Sequence, residues 1–443
     1  MQIFNYAQAT KYLDDCLVFG IKPSLVRINK ILELQGNTHK KTDFIHVVGT
    51  NGKTSTTIIA SHIIYMHGIR CGYHISPHIN EYTERLWACG RNISKSRFVR
   101  LFSDIYPYIQ VVNDLNLDGP MTQFEIIAAM AFRLSAEEQL QVMILEAGMG
   151  GRWDATNAAD STVVGLTGVS LEHTAILGDT IAEIAAEKAQ VIKKGAYVAT
   201  TSNDGTVLEV LRKKTEKTGS KLLALGKDFF ILKKEKIDLS GWEVDLKTVR
   251  SEYRNLKIPL IGNYQPSNLS LALTLVELYF KKISKKVDEN LVKKALSGIK
   301  VPGRFQVMQR NPLVIADTSH NPEGIKNFIN NLNENFSDLR KIIIFAVLKD
   351  KNYKEMVADI VSASDILIIT SSQTERSLDI EILESEVDCC LEKLGKNKTN
   401  SIPGQVYKID NIGNSLNFAL NISKSNDIIC ITGSITNLEH INF

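Results

Sequence analysis

Cysteine is scarce in this chain: six residues in 443, with no CxxC spacing. That excludes a disulfide framework and a cysteine-based zinc site, and it fits a reducing, cytoplasmic compartment. Strong charge of either sign is missing as well. The formal net charge is +3, so nothing calls for nucleic acid as a partner. The one lysine-rich stretch, around Lys227 to Lys257, reads as a solvated face. No apolar window has the length to span a bilayer. The N-terminal MQIFNYAQATKYLDD carries acids and tyrosines where a signal peptide needs a continuous apolar run. Internal repeats and low-complexity tracts are absent too. What is present is the composition of a soluble globular protein, too long for one ordinary core, so two or three domains are expected. A monomer is the default, because nothing suggests a large exposed interface.

Short apolar runs alternate with helical patterns. Phe44 to Val48, Cys71 to Ile75, Val142 to Leu145, Thr162 to Leu166 and Tyr197 to Thr200 read as buried strands, and a helix is expected from Lys53 to His67 with Gly68 as its stop. Alternation of this kind implies crossover units and a mostly parallel sheet covered on both faces. Residues Asp228 to Leu260 alternate polar and apolar and predict an antiparallel flap, followed by a helix over Gln265 to Phe280. The composition break at SGIKVPGRF places a boundary between an N-terminal phosphate-loop α/β domain, residues 1–298, and a smaller open, Rossmann-like α/β domain, residues 299–443. In the second domain Leu313 to Asp317, Lys341 to Val347, Ile366 to Thr370, Val406 to Ile409 and Ile428 to Thr432 are strand-like.

GTNGKTST (Gly49, Thr50, Asn51, Gly52, Lys53, Thr54, Ser55, Thr56) sits between a strand and a helix, where a phosphate loop belongs. Lys53 is in register for terminal phosphates, and the Thr54 or Ser55 hydroxyl for Mg²⁺. The match is imperfect, since Val47 stands where the usual first glycine would be; the bland alternative is a glycine-rich turn with an incidental lysine. Glu146 ends a buried strand ahead of a glycine-rich turn, a position that suits Mg²⁺ or, alternatively, the capping of a helix. His173 follows the next strand and is a candidate for metal or phosphate. Thr180 and Glu183 form a capping box. Beyond it Ile181, Ile184, Lys188 and Ile192 share a face. A lysine there usually snorkels to solvent. Fully buried, its pKa falls, and the neutral amine can take up CO₂ as a carbamate, exchanging a cation for a metal-binding anion.

Taken in order, these segments resemble the Mur ligase superfamily, and within it the folylpolyglutamate synthase and dihydrofolate synthase branch. GTNGKTST, Ser76-Pro77-His78 with YTERL, LEAGMGGRWDATN, EHTAILG, EKAQVIKKG, GNYQPSN, PGRF, DTSHNPEG and VLKDKNY carry the likeness over nearly the whole chain. The resemblance implies an ATP-dependent amide ligase that adds L-glutamate to dihydropteroate, to reduced folate polyglutamates, or to both. It implies Lys53 on the phosphates, Ser76 and Glu146 on one Mg²⁺, and His173 with a carbamylated Lys188 on a second metal. Asn268 and Arg304 would contact the nucleotide, Asp317 and His320 would close on it, and Phe124, Asp154 and Ala155 would lie by the pterin. Thr54, Glu172, Gln190, Tyr264, Asn352 and the pair Thr318-Ser319 depart from the branch's usual residues. Thr54 is closer to the cell-wall ligases, which add an amino acid to a UDP-linked muramoyl substrate and are the alternative reading. Against that reading, the phosphate loop at Gly49 leaves no room for their N-terminal uridine domain. A nucleotide switch without ligase chemistry has no need of Glu146, His173 and Lys188 together.

Overall fold

The computed structural model describes residues 4–19, 23–372, 374–396, 403–439 and 441. The chain divides into two compact units: Met1–Glu235 with Trp242–Pro259 and Tyr264–Ile299, and Lys236–Gly241 with Leu260–Asn263 and Lys300–Phe443.

The first unit contains β1 (Asp43–Val48), β2 (Cys71–His74), β3 (Leu86–Ala88), β4 (Arg91–Asn92), β5 (Val142–Glu146), β6 (Ser161–Leu166), β7 (Tyr197–Thr200) and β8 (Lys221–Ala224). Among the described residues they form one sheet in the order β4-β3-β2-β5-β1-β6-β7-β8. Only β3 runs against the others among these described strands. β1 lies between β5 and β6 and is covered on both faces, which is why DFIHVV is nearly continuous in apolar residues. Helices Tyr6–Asp15, Val26–Leu34, Lys95–Asp114 and Gln123–Glu137 share one core with the sheet, including Ile28, Phe98, Phe102, Phe132, Met143 and Leu145. Inside it Arg27 is fully buried, and its Nε lies 3.0 Å from both oxygens of Glu125. A second cluster joins Val48, Val164, Leu166, Val191 and Val198 to Ala185 and Leu211, from helices Ile181–Lys188 and Gly205–Thr218. Helix Lys53–Met66 packs on helix Gln265–Lys282. Both are buried round most of their circumference, as helices covered on more than one side are.

The expected flap is β9 (Phe230–Lys236), β10 (Trp242–Lys247) and β11 (Glu252–Ile258), with β10 and β11 antiparallel. Its basic residues are offset by their own acids: Lys233 reaches Glu235 at 2.9 Å, and Arg254 reaches Asp245 at 3.0 Å.

In the second unit β12 (Gln306–Arg310), β13 (Leu313–Ala316), β14 (Arg340–Phe345), β15 (Ile366–Ile369), β16 (Gln405–Lys408) and β17 (Asp427–Thr432) form a sheet in the order β12-β13-β17-β14-β15-β16. Only β12 is antiparallel among these described strands. Ile315, Phe328, Ile343, Phe345, Leu367 and Cys430 fill its core together with Ile261. Cys389 and Cys390 fall within helix Ile380–Lys396, and all six cysteines are free. No helix among the described residues is long and apolar enough to cross a membrane.

Candidate active site

Pairing of β1 between β5 and β6 sets Val47 opposite Glu146 and Val48 opposite Leu166, so three strands deliver their following loops to one end of the sheet. This is where open α/β sheets collect ligands. The phosphate-loop backbone follows from its two glycines. Gly49 has φ +143°, and a Cβ there would lie 1.9 Å from Thr167 Oγ1. Gly52 has φ +89° and caps helix Lys53–Met66 without a side-chain acceptor, which leaves its first N–H groups for a ligand. Asn51 lies half-buried between them. Thr50 is tied down on both sides: its N–H donates to Gly168 O at 2.7 Å, and its Oγ1 accepts from Ser170 N at 3.1 Å.

Two lysines converge on this loop. Lys53 Nζ donates to Gly49 O at 3.1 Å and Thr50 O at 2.8 Å, while Lys188 Nζ donates to the same Gly49 O at 2.7 Å. Lys188 is only 4% exposed. Burial, followed by the charge of Lys53, pushes its pKa down to about 7 against the opposing pull of Glu172 and Asp154. Helix Ile181–Lys188 has the expected capping box at Thr180 and Glu183. It ends at Lys188, however, and the backbone tightens into a 3₁₀ turn over Ala189–Val191. Ile192 therefore lies outside the helical face assigned to it, although it remains in the same core.

Thr54 Oγ1 donates to Glu146 Oε1 at 3.0 Å, whereas Ser55 is buried and lies 3.4 Å from Gln265 Nε2. Gln265 in turn accepts from Asn268 Nδ2 at 3.0 Å, and Asn268 Oδ1 would be 2.6 Å from a Cβ on Gly52. Ser76 follows β2, whose His74 is paired with Leu145, so it emerges at the same strand ends as Glu146; the Ser76–Pro77 peptide is cis. These hydroxyl and carboxylate oxygens fit Mg²⁺, a hard cation that also keeps water and phosphate oxygens. No group of three or more His, Cys, Asp or Glu side chains converges to hold a metal among the described residues. His173 has φ +53° and precedes the short helix Thr174–Leu177; its Nε2 is 3.7 Å from Glu172 Oε1. Glu172, which acts on Lys188, ties that loop electrostatically to the lysine.

The turn after Glu146 is held from inside. Asp154 accepts from Met149 N at 2.9 Å and Thr156 N at 3.0 Å, and also from Thr156 Oγ1. Burial raises its pKa, and these hydrogen bonds oppose the rise. Ala155 is buried beside it, and the half-buried Phe124 packs so closely on Gly148 that a Cβ there would meet the ring at 2.6 Å.

The remaining candidates lie in the second unit. Asp317 accepts from Phe305 N at 2.8 Å and Ser319 N at 2.9 Å; burial raises its pKa, and Arg304 is among the groups opposing that rise. His320 Nδ1 is 2.8 Å from Thr318 O. Sequence reasoning missed Thr167, whose signal would have been only its place after a strand, and Gln265, which sits one helical turn before Asn268.

Comparison with known proteins follows this division. Residues 47–276 match the Mur ligase middle domain and residues 303–435 the glutamate ligase domain of Mur ligases. The chain is thus a ligase of the Mur type. Over 82% of this chain and 77% of the relative, identity to the dihydrofolate synthase/folylpolyglutamate synthase of Mycobacterium tuberculosis is 31%. With the Bacillus subtilis protein of the same description it is 29%, over 97% and 96%. The structure of Mycobacterium tuberculosis folylpolyglutamate synthase complexed with ADP superposes with TM-score 0.89 at 28% identity, covering 98% and 96% of the two chains. An FPGS-AMPPCP-folate complex superposes with TM-score 0.80 at 25% identity, covering 98% and 97%. The chain belongs to the folylpolyglutamate synthase and dihydrofolate synthase family of Mur ligases.

Proposed function

We propose that this protein is a cytoplasmic, monomeric ligase that uses ATP to add L-glutamate to dihydropteroate, to reduced folate polyglutamates, or to both. The observation that carries the reading is the convergence of Lys53 and the buried Lys188 on one phosphate-loop carbonyl, beside the Thr54–Glu146 pair. The first unit, which holds most of residues 1–298, is the ATP-binding domain, and the second, which holds nearly all of residues 299–443, is the second domain. The phosphate loop from Gly49 to Ser55 takes the phosphates, and Lys53 offsets charge on the transferring group, so the protein contributes mainly positioning and electrostatics. The substrate carboxylate becomes an acyl phosphate, which the amine of glutamate attacks to give the amide and phosphate. Asn268, Arg304, Asp317 and His320 bind the nucleotide, and Phe124, Asp154 and Ala155 border the pterin. Ser76 and Glu146, with Thr54 alongside, would hold one Mg²⁺; His173 and Lys188, once carbamylated, would hold another. Bound there, Mg²⁺ would neutralise phosphate charge. The amine of Lys188 suits carbamylation because burial leaves much of it uncharged near neutral pH.

The test is ATP-dependent phosphate release with product mass, using purified protein, glutamate, and dihydropteroate or tetrahydrofolate. A one-glutamate mass gain on dihydropteroate alone identifies a dihydrofolate synthase, and gains on both identify a bifunctional enzyme. Silence with both substrates, nucleotide still binding, would overturn the folate assignment and leave the ligase fold.

A further inference from the structure

Of the buried histidines the mechanism above leaves unused, His39, His46 and His74, one reaches the substrate turn. His46 lies in β1, is 0% exposed, and places its Nε2 2.8 Å from Thr156 Oγ1, 110 residues away in sequence. Thr156 has a single hydroxyl hydrogen, and that hydroxyl donates to Asp154 Oδ1. The carboxylate of Asp154 is ringed by donors, since Met149 N reaches Oδ2 and Thr156 N reaches Oδ1. A proton on either oxygen would displace one of them, so Asp154 accepts and Thr156 donates to it. His46 must then carry its hydrogen on Nε2 and donate to Thr156. The opposite ring nitrogen, Nδ1, has no hydrogen-bond partner and is the bare acceptor that this tautomer leaves. Burial, with Lys193 and His74 contributing, keeps the ring neutral, its pKa lowered to about 3. The result is a one-way chain of hydrogen bonds, His46 to Thr156 to Asp154, ending on the acid that ties down the glycine-rich turn against which Phe124 packs.

We propose that His46 is a positioning residue for the substrate turn, setting the geometry of residues 147–154 through Thr156 and Asp154. This rests on the folate reading for what binds at the turn, but the orientation of the turn itself does not. Because β1 also carries the phosphate loop at its carboxyl end, one strand serves two sites through different groups: the backbone after Val48 meets phosphate, and the His46 ring steadies the pterin side.

The experiment compares His46→Leu, His46→Gln, Thr156→Val and Thr156→Ser in the full chain, by steady-state kinetics and by amide hydrogen exchange. Glutamine keeps an N–H near the Nε2 position and serine keeps the hydroxyl, so both should behave like the wild type. Leucine and valine break the chain. Each should raise KM for the pteridine substrate about tenfold or more, as loss of a hydrogen bond feeding a charged group does, and leave KM for ATP within about twofold. The Leu–Val double variant should be no worse than either alone, because both act through the same link. Exchange at Met149 and Thr156 should quicken in the Leu and Val variants while residues 49–56 keep their protection. Unchanged pteridine KM and unchanged exchange in His46→Leu would overturn the proposal. So would an equal rise in both KM values with faster exchange throughout, which would make His46 an ordinary core residue. Should wild-type protein fail to ligate either pteridine, the folate reading falls and the exchange comparison still decides the positioning role.

Discussion

Lys188 is the residue where burial and chemistry are most tightly joined. Replacement by alanine should abolish ligation, with partial recovery when short carboxylic acids are supplied, since these can stand in for the carbamate. Full activity of Lys188→Ala would remove the carbamate from the scheme. The same residue predicts a pH dependence of stability in the ligand-free protein. Its folded pKa, about 7, lies below the ordinary lysine value of 10.5. Below pH 7 the amine is charged in both states and the folded state carries the burial cost. Between pH 7 and 10.5 the unfolded chain binds the extra proton, so stability rises with pH, and above 10.5 the cost is gone. Lys188→Met should therefore stabilise the ligand-free protein by about 1–4 kcal/mol at pH 6–7, and the advantage should shrink toward pH 10 in thermal melts. A constant difference across that range would show that the lysine is charged throughout. The sequence placed Lys188 on an apolar face, but its partner, Gly49 O, is 139 residues away and no periodicity reveals it. Likewise Thr54 and Ser55 are adjacent hydroxyls, and only the pairing of Val47 with Glu146 decides which one meets the carboxylate.

Among the elements, the glycine-rich turn and helix Ile181–Lys188 act as one piece. A Cβ on Gly151 would lie 2.6 Å from Lys188 O and 2.7 Å from Glu187 O, and these are backbone atoms that cannot rotate aside. Gly151→Ala should cost about 1–3 kcal/mol by overpacking and reduce ligation through displacement of Lys188; unaltered melting and turnover would show that the two elements move independently. At the other end of the helix, Thr180 caps it by accepting from Glu183 N at 3.2 Å. Thr180→Ala should cost about 1 kcal/mol, read as a lowered melting midpoint that Thr180→Ser restores. The inner parallel strands of both sheets were legible because strands covered on two faces are written in largely apolar runs. The strands that were not foreseen are short or half-polar: β3 and β4 span three and two residues, β8 buries only two of its four, and Gln306–Arg310 has no fully buried position. The helix end at Lys188 was misplaced because Ile192 is buried as the helical pattern required, but by a chain that had already left the helix.

For the whole molecule, the composition break around PGRF stands beside the last change of unit, between Ile299 and Lys300, yet the chain also changes unit at 235/236, 241/242, 259/260 and 263/264. Those earlier passages carry no mark in the sequence, because a return of four or six residues shifts neither composition nor hydrophobic period. They matter energetically. Ile261 belongs to the core of the second unit, and Asn263 is bound to the fully buried Asn331: its N–H donates to Asn331 Oδ1 at 2.7 Å, and its own Oδ1 accepts from Asn331 Nδ2 at 3.0 Å. A fragment of residues 300–443 lacks both Ile261 and Asn263, so it leaves Asn331 Oδ1 buried without that donor and opens a gap in the core to which Phe305 and Phe328 belong. The lost hydrogen bond should cost about 1–3 kcal/mol and the missing isoleucine about 2–5 kcal/mol, a large share of the stability of a unit this size. The fragment should therefore unfold well below the transition of the same unit in the intact chain. In the intact chain, Asn331→Ala should lower that transition alone, leaving nucleotide binding at the phosphate loop unchanged. A fragment as stable as the intact unit would show that the second unit closes its core without residues 260–263, and would make the single cut at PGRF the true domain boundary.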